Sequence, residues 1–190
     1  MEQVEAIRVL ADAATHFRAL VVSDVGSQSG WLYSTGDRPE YLYLTGPMGS
    51  SAAVALGVAL AVPSRPVLAI CGDGALAMCL ASLPTIAAQA PKNLTIAVID
   101  NGTYELTGNL RSPSASVNWS DLVRALPPFR TVEHLTSPLP DLTCDQGPAF
   151  IHCAVTPATA RVPHCPVDPL TVHRRFLDVV REINGVDEKR

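Results

Sequence analysis

Asp73 and Asn101 are the residues whose types and surroundings point first to chemistry. Asp73 stands in Cys71-Gly72-Asp73-Gly74-Ala75, and Asn101 in Ile99-Asp100-Asn101-Gly102-Thr103-Tyr104. A carboxylate and an amide carbonyl are hard oxygen ligands. Mg²⁺ takes one or two of these from a protein and completes its octahedron with phosphate oxygens and water. Glycines beside Asp73 let backbone N–H groups approach an anion closely. An aspartate between glycines is also an ordinary turn, so the reading depends on whether the chain brings the two side chains to one place.

The flanking sequence supplies the means. Apolar runs at 67–71 and 94–99 read as buried strands, each ending in polar residues, with a helical segment between them. This is a βαβ unit with a parallel sheet. A right-handed crossover places Asp73 and Asn101 at the carboxyl ends of two parallel strands, on the edge where open α/β sheets bind ligands.

Gly-Asp-Gly followed after one βαβ length by Asp-Asn-Gly-x-Tyr resembles the signature of the thiamine diphosphate (TPP) enzymes. The resemblance implies that Asp73, Asn101 and the backbone carbonyl of Thr103 ligate Mg²⁺. It sets Gly72, Gly74 and Ala75 against the diphosphate, with Tyr104 of the same motif among the cofactor-binding residues. Where Ala75 stands the family commonly has Ser, so one hydroxyl contact is missing. Gly46-Pro47-Met48-Gly49 adds to the likeness. By resemblance Met48 wedges under the cofactor and holds its rings in a V, and the Gly46 carbonyl receives the aminopyrimidine. From its type alone Met48 suits a core position as well. Thr107-Gly108-Asn109 resembles the branch that decarboxylates 3-sulfopyruvate or 3-phosphonopyruvate, although Leu110 replaces an expected Gln. Glu105 matches a Glu of the phosphonopyruvate members, and is equally readable as a solvated loop carboxylate.

The other elements follow from pattern. Apolar spacing predicts a first helix over 4–17, then strands at 19–22 and 41–44. Ser27-Gln28-Ser29 would cap a short helix through Tyr33, with Asp24 and Ser27 near the site or merely forming a cap and turn. A small-residue helix spans 51–61, and a helical turn 76–80. Ser82 would cap a helix over 83–90 that Pro91 ends. Residues 118–121 cap a helix to 126, strands lie at 129–132 and 149–155, and the connection 133–146 reads as irregular. A proline-rich stretch, 156–169, leads to a helix over 168–183. The expectation is a three-layer, doubly wound, mostly parallel α/β sheet with helices on both faces, the TPP-binding fold, as one domain over 1–190.

Composition narrows the classes. With 190 residues, 47% hydrophobic and 17% charged, the chain has material for a core. A net charge of −4 without a basic cluster argues against nucleic acid. The apolar run 52–62 is too short to span a bilayer, and the acidic, amphipathic start is unlike a signal peptide. Five scattered cysteines without C-x-x-C fit a reducing cytoplasm, with Cys71 and Cys153 read as small buried hydrophobes. No spaced histidine partners support a zinc site or a Ser-His-Asp constellation, and His164-Cys165 reads as packing.

The resemblance covers the diphosphate-binding domain over nearly the whole chain. It implies a partner: a pyrimidine-binding subunit that supplies the activating Glu, in an α₂β₂ assembly. The function implied is the β subunit of a split TPP- and Mg²⁺-dependent decarboxylase acting on a small anionic 2-oxo acid. A carboligase of acetolactate synthase type and a non-catalytic subunit of the same fold are the alternatives. Arg111 and Arg161 are candidates for the substrate's anionic tail or for plain surface charge.

Overall fold

The computed structural model describes residues 1–132, 134–136, 139–143 and 146–185. Six strands form one sheet in the order β2-β1-β3-β4-β8-β7, every neighbouring pair parallel. These are β1 (Leu20–Ser23), β2 (Tyr41–Tyr43), β3 (Val67–Gly72), β4 (Leu94–Asp100), β7 (Arg130–Val132) and β8 (Ala149–Ala154). The central strands β3 and β4 are almost wholly buried and nearly unbroken in apolar residues, as strands covered on both faces must be.

Alternate side chains feed two cores. Leu68 and Ile70 of β3, with Ala97 and Ile99 of β4, face α1 (Gln3–His16) and α2 (Ser27–Ser34). Val67, Ala69 and Cys71, with Ile96 and Val98, face α3 (Ser51–Ala61), α4 (Asp73–Met78), α5 (Ser82–Gln89) and α6 (Trp119–Arg124). Each fully buried Leu or Ile in these layers contributes about 1.5–3 kcal/mol. The last helix, α7 (Pro169–Ile183), sends Val172 into the first core and Phe176 into the second, and packs beside the edge strand β2. The three-layer, doubly wound expectation therefore holds, with the main sheet wholly parallel. The antiparallel pairing is a separate hairpin of β5 (Thr103–Tyr104) and β6 (Leu110–Arg111), where the sequence suggested only a loop.

Several local expectations change. Ser82 is inside the first turn of α5; the cap position is Ala81, and the Ser82 hydroxyl has no partner among the described residues. Ala90 closes α5 in a left-handed conformation, one residue before Pro91. At α2 the cap is Gly26, without a side-chain cap from Ser27, Gln28 or Ser29. The polar turn after β3 is already helical from Asp73, earlier than the segment 76–80. Asn118 does cap α6, accepting from the Asp121 N–H, but that helix stops at Arg124. Asp168 caps α7 from outside it. Residues 133, 137, 138, 144 and 145, within the connection expected to be irregular, lie outside the described residues. Among the described residues no helix is long and apolar enough to cross a membrane.

Candidate functional site

The register of β3 against β4 pairs Gly72 with Ile99, so Asp73 follows one strand end opposite Asp100 and Asn101 leaves the next. A cleft of about 330 Å³ opens at this edge. Its wall gathers Gly46, Met48, Gly72, Asp73, Gly74, Ala75, Thr103, Tyr104 and Glu105, nearly the whole expected set from three separate stretches of chain. Asn101 is half-buried and not on that wall; its Oδ1 accepts the Thr103 N–H at 2.9 Å and so shapes the turn whose residue 103 is.

Two glycines here are required by space. A Cβ on Gly74 would come 2.3 Å from the Tyr104 ring, which closes over the turn. Gly49 has φ +85°, and a Cβ there would meet the Ala75 carbonyl oxygen at 2.3 Å. The Gly49 N–H is 3.1 Å from both carboxylate oxygens of Asp24, which also accepts from the Ser51 hydroxyl at 3.1 Å and the Val25 N–H at 3.1 Å. Asp24 is 0% exposed. Burial pushes its carboxyl above the ordinary range, and the donors from Gly49, Ser51 and Val25 pull it back. Asp24 thus clamps the loop carrying Gly46 and Met48 onto the end of β1. Met48 itself is 37% exposed and on the cleft wall, which excludes the core reading.

Asp73 is buried, and its carboxylate accepts the Ser112 hydroxyl, which in turn contacts the Ser114 hydroxyl at 2.8 Å. Burial raises its pKa; the Ser112 and Ser114 hydroxyls and the Gly74 N–H act the other way, and the Asp100 charge adds to the rise. Burial also opposes ionisation of Asp100, yet the hydrogen bond from His152, at 2.9 Å, together with the Ser114 hydroxyl and the imidazole charge, holds its carboxyl below the ordinary range. A buried carboxylate beside a second one is a place where a cation lowers the energy. The donors are all oxygen, as Mg²⁺ prefers. The cleft beside them, about 330 Å³, has room for a phosphate. The residues present fit a magnesium diphosphate.

Glu105 lines the cleft, and its Oε2 is buried with no hydrogen-bond partner among the described residues. The residue as a whole is half-buried, so Oε2 is withdrawn from water without the whole side chain being buried. A second, larger cleft of about 780 Å³ shares Val25, Gly26, Thr103, Glu105 and Leu106 with the first. Arg161 and His164 line it; Arg111, exposed on β6, lines neither cleft. Cys71 and Cys153 are buried as expected, and burial pushes the Cys153 thiol up to about 12.

Sequence reasoning missed Ser112 and Ser114, the Asp100–His152 pair, Gln28 against Gly72, and Gln3, whose Oε1 accepts from the Asn101 amide at 3.0 Å. No local spacing signals them, because each partner arrives from a distant element.

Residues 24–137 match the family model of the thiamine pyrophosphate enzyme C-terminal TPP-binding domain. The chain is 39% identical over 170 residues to a phosphonopyruvate decarboxylase of Streptomyces hygroscopicus, covering 86% of this chain and 42% of that one. It is 32% identical over 193 residues to the sulfopyruvate decarboxylase subunit beta of Methanothermobacter thermautotrophicus, covering 99% of this chain and 98% of that one. The chain thus spans about two fifths of the Streptomyces relative and nearly all of the archaeal one. A thiamine diphosphate-dependent 4-hydroxybenzoylformate decarboxylase from Rhodococcus jostii superposes with a TM-score of 0.68 at 19% identity, over 84% of this chain and 33% of that one, a likeness of fold.

Proposed function

The chain belongs to the thiamine pyrophosphate enzymes, and from that premise we propose that it is the β subunit of a decarboxylase of a small anionic 2-oxo acid, of the 3-sulfopyruvate or 3-phosphonopyruvate kind. The observation that carries the reading is the single cleft in which Asp73, Gly74, Thr103, Met48 and Glu105 meet at the carboxyl edge of a parallel sheet. The near end-to-end match to a relative named as a subunit supports a partner that completes the site. We take residues 1–190 as one diphosphate-binding domain working in the cytoplasm, with a pyrimidine-binding subunit supplying the activating Glu, in an α₂β₂ assembly.

Each residue then has a task. Asp73, the Asn101 amide oxygen and the Thr103 carbonyl would hold Mg²⁺. Gly72, Gly74 and Ala75 offer backbone to the diphosphate, and Tyr104 packs over Gly74 as its lid. Bound thiamine pyrophosphate supplies the electron sink that lets a 2-oxo acid lose CO₂. Met48, on the loop held by the Asp24 clamp, would pack against the bound cofactor, and the Gly46 carbonyl would offer it an acceptor. Glu105 is half-buried, and its Oε2, without a partner among the described residues, would hold or release a proton toward the reacting centre. Arg161 faces the larger cleft, where the substrate's tail anion would need a cationic donor.

The test is CO₂ release from 3-sulfopyruvate and 3-phosphonopyruvate, with the cofactor and Mg²⁺, by the chain purified with its co-purifying subunit and by the chain alone. Release only from the co-purified sample is expected, with Arg161→Ala raising KM more than it lowers kcat. Full turnover by the chain alone would overturn the split-site reading, and no release of either acid's CO₂ would overturn the substrate class.

A further inference from the structure

An asparagine amide can meet a cation in two ways. Its oxygen attracts; its NH₂, brought round by half a turn about χ2, repels. Two neighbours decide the matter for Asn101. The Thr103 N–H can only donate, and it lies 2.9 Å from the side-chain oxygen. The Gln3 Oε1 can only accept, and it lies 3.0 Å from the side-chain nitrogen. A flipped amide would set oxygen against oxygen and N–H against N–H.

We infer that Gln3, the first residue of α1, is a positioning residue for the cation site: its side-chain oxygen pins the Asn101 NH₂ so that the amide oxygen stays turned to the Thr103 turn. The inference rests on the cofactor reading above. Gln3 is 0% exposed, unusual for glutamine, and its own N–H donates to the Thr156 carbonyl at 3.1 Å. The end of α1 is thereby tied to the chain just past β8, and through it to the edge where β4 ends. The Gln3 Nε2 has no partner among the described residues. Packing alone would be served as well by an apolar side chain of the same length, without leaving a buried donor unused. What the amide adds at this position is the acceptor for Asn101.

The experiment is calorimetric titration of Mg²⁺ into the protein saturated with thiamine pyrophosphate, with any co-purifying subunit retained. It compares the parent with Gln3→Met, which keeps shape and loses the acceptor, and with Gln3→Glu, which keeps the acceptor. Loss of an outer partner of this kind weakens metal binding by about tenfold or more, so Gln3→Met should bind Mg²⁺ about tenfold more weakly and Gln3→Glu within about threefold of the parent. Without Mg²⁺ the unfolding midpoint of Gln3→Met should stay within about 2 °C of the parent. Equal Mg²⁺ affinity in parent and Gln3→Met would overturn the inference while leaving the cofactor reading intact. Equal weakening in both variants, with lowered midpoints, would make Gln3 a packing residue and overturn it too. A parent that binds the cofactor without any response to Mg²⁺ would sink the metal reading itself. Should Gln3→Met not fold, amide exchange in the parent decides: one Asn101 side-chain proton should be protected, and two freely exchanging protons would refute the bond.

Discussion

Strand β4 has an asparagine at each end, and the two are used in opposite ways. Asn93, just before the strand, donates its NH₂ to three carbonyls, those of Ala59 at 3.1 Å, Val62 at 2.9 Å and Arg65 at 2.9 Å. Its own backbone carbonyl receives the Val67 N–H at 2.7 Å. That amide is spent on closing the turn between α3 and β3. Asn101, just after the strand, has one donor bond, to Gln3, and an oxygen turned to the Thr103 backbone, on a half-buried residue beside a cleft. The contrast extends to the neighbours. At the amino edge, Arg65 donates to the Arg18 carbonyl and completes a turn. At the carboxyl edge burial raises the pKa of two carboxylates, Asp24 and Asp73, and Glu105 Oε2 has no partner among the described residues. At the amino edge the Asn93 and Arg65 side chains bond the chain's own carbonyls; at the carboxyl edge Asp73 and Glu105 line a cleft, which is what a ligand needs.

That contrast can be broken most sharply at Asp73. Asp73→Ala should weaken Mg²⁺-dependent cofactor binding by at least about 100-fold, near 3 kcal/mol, measured by calorimetry. The fold should not suffer. A carboxyl whose pKa is raised by folding contributes stability that is fully present below its ordinary value of 3.8 and is lost as pH rises through the native value. At neutral pH its removal should leave the unfolding midpoint no lower; a large loss of stability would show that the site edge is built for folding after all.

Asn93→Ala is the reciprocal change. It strips three carbonyls of their donor and should cost about 2 kcal/mol in urea unfolding, with cofactor affinity of the folded protein unchanged. A matching loss of affinity would erase the distinction between the two edges.

The smallest effect is expected at a latch belonging to neither edge. Arg175 of α7 donates two hydrogen bonds to Asp37, at 2.6 and 2.5 Å, and the Tyr43 hydroxyl adds a third at 3.0 Å. The Arg175 hydrogen bond is the main reason the Asp37 carboxyl is held below its ordinary range. The pair is partly exposed, so Asp37→Asn should cost only about 1 kcal/mol at pH 7. For a lowered carboxyl the contribution is present above the ordinary value of 3.8 and is lost as pH falls through the native one. Parent and variant stabilities should therefore converge in acid, and a gap that persists there would assign the effect to packing of α7.

Much of this was legible in the residues themselves. Apolar runs with polar ends gave the parallel strands and the edge on which Asp73 and Asn101 would stand, since a buried strand needs an unbroken apolar run and a crossover has one hand. The glycines around Asp73 were readable because close backbone approach demands glycine, whereas Gly46 and Met48 were picked out by resemblance to the family. Boundaries were less so. Ser82 has a capping side chain in the right neighbourhood, yet Ala81 takes the cap, because the Ser82 and Leu83 N–H groups are already bonded to the Cys79 and Leu80 carbonyls of the turn after α4.

The sequence by itself determined the sheet, the two-sided core and the presence of Asp73 and Asn101 at its carboxyl edge, all of which follow from periodicity and residue chemistry over short windows. Tertiary structure alone decided which hydroxyls bond Asp73, that Asp24 clamps the Met48 loop, that Glu105 Oε2 is withdrawn from water without a partner among the described residues, and that Gln3 meets Asn101. Those facts depend on segments far apart in the chain being packed side by side. The physical cause is burial: a polar atom removed from water must find whatever partner the fold delivers, and only the assembled fold specifies which one that is.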